Sequence, residues 1–232
     1  MEIDLSVIYL FFKNVTLIIK VGRLFLVIYF YSGTPGSGKS LHVARDIYHK
    51  LFIKKQNVIA NFPLNQKVLD SHKKRGEFLY VDTFDMSAQF FIEYAIKNHK
   101  RGKENQTLAI IDECQIIYNP RSTLSDKNRI DWINFYTQHR KWGYNFILIS
   151  QFDKLVDKQI RNLFEYDVKH RKVNNFKFMR FVPISIFTAV TYWYGVRERI
   201  DCEFFLYHKK YANLYDSYRD FSNNIEKIES NS

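Results

Sequence analysis

Val27 to Ala44 reads "VIYFYSGTPGSGKSLHVA". Apolar residues run into a turn containing three glycines and a proline, and a helical pattern follows. Inside it, "GTPGSGKS" (Gly33 to Ser40) fits G-x-x-x-x-G-K-[ST]. Gly33, Gly36 and Gly38 let successive backbone N–H groups turn inward around phosphate oxygens. Thr34, Pro35 and Ser37 complete the loop, and Leu41 begins the helix whose positive end faces the same phosphates. Lys39 is placed to reach the β- and γ-phosphates and Ser40 to hold Mg²⁺. The pattern follows a strand and opens a helix, the context that separates a phosphate loop from an ordinary glycine turn.

Working outward, "TLAIIDE" is an apolar strand ending in Asp112 and Glu113. Asp112 is the candidate Mg²⁺ partner, directly or through water, and Glu113 the candidate base for an attacking water. "NFILISQ" ends in Ser150 and Gln151, and Gln151 is the candidate γ-phosphate sensor or water-positioning group. Ser150 or Asp153 could instead cap a following helix. A guanidinium that meets phosphate bidentately from a neighbouring subunit could be Arg140 or Arg161, with Arg121 a weaker candidate. The substrate these residues imply is ATP, with Mg²⁺ as cofactor.

Around these landmarks the chain alternates strand and helix. Leu24–Ser32, "NVIANF", "EFLYVD", "TLAIIDE" and "NFILISQ" read as strands. "YDVKHRKV" reads as a further strand towards the sheet edge. Helices are expected over Ser40–Phe52, Thr83–Arg101 with Thr83 near the N-cap, Ser125–Trp142 closed by Gly143, and Phe152–Phe164. This order predicts an α/β domain with a mostly parallel sheet between helices. The divisions expected are 1–22, a nucleotide-binding domain over 23–175, and a C-terminal β extension and tail over 176–232. The run "FKFMRFVPISIFTAVTYWYG" supplies one or two β segments and is too short in its apolar stretch to span a membrane.

The 232 residues carry a formal charge of +11, concentrated in clusters. These are Lys54-Lys55, His72 to Arg75, His99 to Arg101 with Lys103, His139 to Lys141, Lys169 to Lys172, and Lys209-Lys210. Singly, each could be a solvated loop or helix end. Together they suggest a polyanionic partner, nucleic acid or an anionic membrane face. Two distant cysteines exclude a disulfide framework and a Cys-based metal site. In residues 1–22, Glu2, Ser6, Tyr9, Lys13, Thr16, Lys20 and Arg23 recur every three or four positions, a polar stripe on an otherwise apolar helix. Lys13 and Lys20 argue against a spanning helix and the flanks against a cleaved leader. An interfacial membrane helix, a helix packing on a neighbouring subunit, and sequence upstream of the true start all fit this pattern.

Several motifs then occur in a fixed order: Gly33 to Ser40, "NFPL" (Asn61 to Leu64), "IIDECQ" (Ile110 to Gln115), "NPR" (Asn119 to Arg121), "QHRKWGYNFILISQ" (Gln138 to Gln151) and "IRNLFE" (Ile160 to Glu165). In this order they resemble the Zot (zonula occludens toxin) domain family, which includes the assembly ATPases of filamentous phages. The resemblance runs from Leu24 to about Val173, with "YWYG" and "LYDSY" as candidate continuations. It implies a P-loop NTPase of the additional-strand, RecA- or FtsK-like type. By position it carries over Lys39, Ser40, Asp112, Glu113 and Gln151 as the nucleotide site, and places His139-Arg140 on the family's His-Arg pair. It implies an ATP-hydrolysing motor, ring-forming and hexameric, at the cytoplasmic face of the host inner membrane. Its partners would be single-stranded phage DNA with phage coat and assembly proteins. Family members usually carry a transmembrane helix and an outer domain after the ATPase, and no such segment is expected within these 232 residues. The expectation is that attachment comes from residues 1–22 or from a partner. A soluble DNA-translocating or packaging ATPase, and a nucleotide-gated scaffold with little turnover, are the alternatives.

Overall fold

The computed structural model describes residues 27–120, 126–173, 185–196 and 198–215. The expected N-terminal helix, the first residues of the first strand, Arg121 and the polar tail lie outside them. Among the described residues, eight strands form one sheet in the order β3-β2-β4-β5-β1-β6-β7-β8. They are β1 (Ile28–Ser32), β2 (Asn57–Ala60), β3 (Phe78–Tyr80), β4 (Thr107–Ile111), β5 (Tyr144–Ile149), β6 (Tyr166–Lys172), β7 (Ile186–Trp193) and β8 (Arg199–Leu206). The first six pair in parallel, β7 adds antiparallel to β6, and β8 adds antiparallel to β7. The acid-bearing strand β4 and the phosphate-loop strand β1 are separated by β5, the arrangement expected of an additional-strand P-loop fold.

The helices are α1 (Lys39–Tyr48), α2 (Gln66–Asp70), α3 (Ala88–Asn98), α4 (Asp126–Thr137), α5 (His139–Trp142), α6 (Lys158–Arg161) and α7 (Lys209–Ala212). They cover both sheet faces because the central strands are apolar on both. Ile28 and Phe30 pack in one core with Phe91 of α3, Trp132 and Phe135 of α4 and Ile160 of α6. Tyr31 packs in the other with Val43 and Ile47 of α1. All five residues of β4 are buried, as a strand covered on both faces requires.

Several local expectations need correction. The strand "YDVKHRKV" is interior, because β7 and β8 continue the sheet past it. Thr83 does not cap α3. Ser87 does, its hydroxyl accepting from the Phe90 N–H at 3.1 Å, so the helix starts later. The long helix before Gly143 is broken at Gln138 into α4 and α5, and Gly143 closes it in the left-handed region at φ 81°. Residues 152–164 do not form one helix. A 3₁₀ turn (Asp153–Leu155) precedes α6, whose cap is Asp157 rather than Ser150 or Asp153. Val156 in extended conformation separates the two, and its side chain is buried in the core. The helix from Ser40 passes at His49–Ile53 into a π-helical turn, whose wider winding brings Lys50 inward to the Gln56 Oε1 at 3.0 Å. The boundary expected at 175/176 lies outside the described residues, and on either side of it β6 and β7 pair in one sheet.

Candidate functional site

In a parallel sheet the C-terminal strand ends open on one edge, where polar groups converge. Here Gly33 follows β1, Asn61 follows β2, Asp112 follows β4 and Ser150-Gln151 follows β5. The phosphate loop arches over β1, with Thr34, Pro35, Gly36 and Ser40 exposed and Ser37 buried. The Ser37 N–H donates to the Thr34 carbonyl at 3.1 Å and closes the turn. Gly33 (φ +146°) and Gly38 (φ +96°) hold conformations that L side chains rarely adopt. A Cβ on Gly33 would stand 2.6 Å from the His170 carbonyl oxygen, and one on Gly38 2.6 Å from the Phe187 ring. Glycine at both positions is therefore a packing requirement as well as a torsional one. Leu41 is half-buried against the core under α1.

Lys39 Nζ donates to the Gly33 carbonyl at 2.6 Å and the Thr34 carbonyl at 3.3 Å. Burial holds this ammonium below the ordinary lysine range, while Asp112 and Glu113 act in the opposite direction. The phosphate-loop lysine and both acids of "IIDECQ" thus share one electrostatic neighbourhood. Burial pushes the Asp112 carboxyl up, and the Glu113 N–H, the Tyr215 hydroxyl and Lys39 pull it back. Asp112 Oδ1 accepts from the Glu113 N–H at 2.9 Å and Oδ2 from Tyr215 Oη–H at 3.3 Å. Glu113 sits in the left-handed region (φ 48°), a strained turn for a non-glycine residue, and accepts from Gln115 Nε2. That turn lifts its carboxylate out of the strand into an exposed position.

Two members of this edge escaped sequence reasoning. Asn61 clamps Asp112 from the neighbouring strand end: its Oδ1 accepts from the Asp112 N–H at 2.7 Å and its Nδ2 donates to the Asp112 carbonyl at 2.8 Å. The same Nδ2 reaches Thr83 Oγ1 at 2.9 Å. Its place at the end of a buried strand was the available signal. Tyr215 had its place in "LYDSY" as a signal, but only the returning chain shows that it reaches Asp112. A third element underlies the loop. His170 Nδ1 lies 3.2 Å from the Ser32 carbonyl and its Nε2 2.8 Å from His42 Nδ1, both rings buried. Burial drives His170 down to about 4.

Gln151 lines a cleft of about 850 Å³ that begins at Gly33 and Thr34. Arg161 faces Asp153, a residue of that cleft's wall, at 3.7 Å. Arg140 is elsewhere. It precedes β5, at the opposite end of the sheet from the phosphate loop, and is 56% exposed with an ion pair to Glu165 at 2.9 Å. His139 faces the same carboxylate at 3.8 Å. The His-Arg pair and the end of "IRNLFE" therefore meet and join α5 to the start of β6.

The residues fit a Mg²⁺-bound triphosphate. Among the described residues, the buried Ser37 hydroxyl has no hydrogen-bond partner. An ammonium, an exposed hydroxyl at Ser40 and the Asp112 carboxylate face one edge, where no side chain could replace Gly33.

The sequence profile described as Zonular occludens toxin (Zot) matches residues 27–219. The chain belongs to the Zot family. Among solved structures, the N-terminal domain of zonular occludens toxin from Neisseria meningitidis is similar. It shares 19% identity over 82% of this chain and 98% of that one, with a TM-score of 0.50. A second solved structure, an ATPase domain, matches at 9% identity over 93% and 98% of the two chains, with a TM-score of 0.57. At these identities the likeness is one of fold, that of a P-loop NTPase. No curated protein matches the sequence significantly. This Zot-family chain has no helix among the described residues long and apolar enough to cross a membrane.

Proposed function

We propose that this Zot-family protein hydrolyses ATP and uses the turnover to move or assemble a polyanionic cargo. The observation that carries the reading is the convergence of the Gly33–Ser40 loop after β1 and of Asp112-Glu113 after β4 on one strand-end edge of a parallel sheet. Backbone amides of residues 33–38 and the Lys39 ammonium bind and orient the β- and γ-phosphates, which hold most of the charge to be neutralised. To do so Lys39 exchanges its contacts with the Gly33 and Thr34 carbonyls for phosphate oxygens. Ser40 and Asp112 would hold Mg²⁺, which supplies charge neutralisation on the phosphate oxygens when bound. Glu113, exposed on its left-handed turn, takes the proton of the attacking water, and Gln151 orients that water from the end of β5. Arg161 and Arg140 are the candidates for a cation supplied to a neighbouring subunit's site. Arg161 is favoured by the position of its partner Asp153 in the cleft wall.

The family resemblance supports a finer reading: a ring-forming, hexameric motor for extrusion of filamentous phage at the cytoplasmic face of the host inner membrane. Its partners would be single-stranded DNA and phage coat and assembly proteins, with residues 1–22 on the membrane surface. Phosphate release with Mg²⁺-ATP, measured with and without single-stranded DNA, tests the enzymatic core. Turnover should fall to background in Lys39→Ala and in excess chelator. Unchanged turnover in Lys39→Ala would remove the site assignment, and a wild type that binds ATP without turnover would leave a nucleotide-gated scaffold. Flotation with anionic vesicles, with and without residues 1–22, tests the membrane part, and recovery of both forms only in the soluble fraction counts against it.

A further inference from the structure

The cleft beside the phosphate loop is much larger than the loop needs. From Gly33 and Gln151 it runs the length of β6 to Tyr194 and Gly195 near the far end of that strand, about 20 Å at roughly 3.3 Å per residue. Its floor is the outer face of β6 and β7. Strand alternation turns Val168 and His170 into the core and Lys169 and Arg171 out into the cleft. Lys154 adds a further cation from the opposite wall. Of the two carboxylates present, Asp153 faces Arg161 at 3.7 Å. Asp167 accepts from Ser32 Oγ–H at 3.0 Å and faces Lys169 Nζ at 3.6 Å. Both acids are therefore paired, and Lys154, Lys169, Arg171 and the adjoining Arg161 outnumber them, so the cleft carries a positive balance. Apolar ring surface is interleaved with it. Phe152 is 57% exposed at the rim, and Tyr192 lies on the floor under Lys169 Nζ, 5.3 Å from the ring centroid.

The geometry points to a binding track for a single-stranded nucleic acid along the outer face of β6, with Lys154, Lys169 and Arg171 meeting phosphates and Phe152 and Tyr192 taking bases. Cations two residues apart on a strand repeat at about 6.6 Å, a spacing of the order of the phosphates of an extended single strand. A basic groove with exposed rings is the combination that binds single strands without sequence preference. The other face of the same strand touches the nucleotide loop. His170 bonds to Ser32 and His42, and its carbonyl abuts Gly33. One strand thus carries the cargo face outward and the phosphate-loop support inward.

This inference deepens the motor reading, and its test is made without nucleotide, so that either can fail alone. Binding of a fluorescent oligo-dT of about 15 nucleotides to the full chain is followed by anisotropy across a salt series. Lys169→Ala/Arg171→Ala should lower the salt slope by about 1.4, at roughly 0.7 per phosphate contact on a single strand. That corresponds to about 25-fold weaker binding at 0.1 M salt, converging towards wild type at 1 M. Phe152→Ala should weaken binding about 5-fold or more with the slope unchanged, since it removes stacking and no charge. Lys100→Ala/Arg101→Ala, an equal charge loss at exposed positions on the opposite edge, should stay within about twofold of wild type. Equal losses in both double variants would overturn the track in favour of diffuse attraction. Unchanged oligonucleotide affinity in the cleft variants would overturn it as well. Weaker binding of a fluorescent ATP analogue would then mark the cleft as a nucleoside subsite, and lost binding to anionic vesicles would mark it as a membrane contact. Melting temperatures identify a misfolded variant, and the uncharged Phe152→Ala keeps the test open if the double variant is one.

Discussion

Asn61→Ala isolates the clamp on the metal-binding candidate without touching the phosphate loop. Asn61 makes two hydrogen bonds to the Asp112 backbone, at 2.7 and 2.8 Å, and one to Thr83 at 2.9 Å. A neutral hydrogen bond contributes about 1 kcal/mol net, and a buried backbone group left unpaired costs about 1–3 kcal/mol. Asn61 is half-buried, so water recovers part of the loss, and about 2 kcal/mol is expected. For a chain of this size that lowers Tm by roughly 4–8 °C. The functional effect should exceed the structural one. A carboxylate whose backbone is no longer held drifts from the position that chemistry requires, and misplacement by about 1 Å can cost on the order of 100-fold in rate. Thermal unfolding and steady-state ATP turnover measure the two parts. The expected result is kcat at least tenfold lower with KM for ATP little changed, because Lys39 and the loop amides are intact. Asn61→Asp keeps an acceptor for the Asp112 N–H but removes the donors and adds a second carboxylate. It should recover part of the Tm and none of the rate. An Asn61→Ala protein with Tm within about 1 °C of wild type and turnover within twofold would refute the clamp.

Gly33→Ala should cost several kcal/mol, because its Cβ meets the His170 carbonyl at 2.6 Å and Ser37 Oγ at 2.7 Å in a backbone conformation that alanine resists. A Tm drop below about 3 °C would count against that packing. His170, held near 4 in the fold against 6.5 unfolded, favours the neutral ring; stability is complete above pH 6.5 and lost as pH falls towards 4, by about 3 kcal/mol at 1.36 kcal/mol per pH unit. The groups facing this ring are His42, Lys39, Asp46 and the Ser32 carbonyl, and denaturant unfolding of His170→Gln should lack this acid-side loss. Tyr215→Phe removes the hydroxyl on Asp112 Oδ2 and keeps the ring against Phe62, so Tm should barely move. The acid limb of the kcat/KM profile should shift to higher pH, because Asp112 loses a donor to its ionised form.

The nucleotide loop, the acid pair and the parallel core were legible because each is written locally. Glycine spacing encodes the loop, and continuous apolar runs encode strands covered on both faces. Failures occurred where distant residues decide. "YDVKHRKV" alternates like an edge strand facing water, and its outer face does face a cleft, yet β7 takes its free edge. Residues 152–164 carry helical spacing, but Val156 is held extended with its side chain in the core, and Asp157 caps a helix of one turn. His139-Arg140 is a different case, since the phosphate expected for it belongs to a neighbouring subunit and not to this chain's own loop. Strand direction puts it at the other end of the sheet, where Glu165 binds it.

Contacts between residues distant in sequence explain why the site itself was less legible than its motifs. Phe187 of β7 packs against Gly38, so the turn into α1 is shaped by a strand added to the sheet's far side. Arg45, nearly two turns into the helix behind the loop, pairs with the buried Glu203 of β8, 158 residues away. Tyr215 reaches Asp112 across 103 residues. Its position is fixed by the Asn65 N–H on the Leu214 carbonyl at 3.1 Å and by its bridge to Leu64, the end of "NFPL". Asn61 begins that same segment, so one turn of chain after β2 both clamps the Asp112 backbone and docks the residue that touches its carboxylate. The family match reaches past β6 to residue 219, and within it the β1–β6 core supplies the candidate chemistry-bearing groups while β7, β8 and α7 supply contacts that hold them.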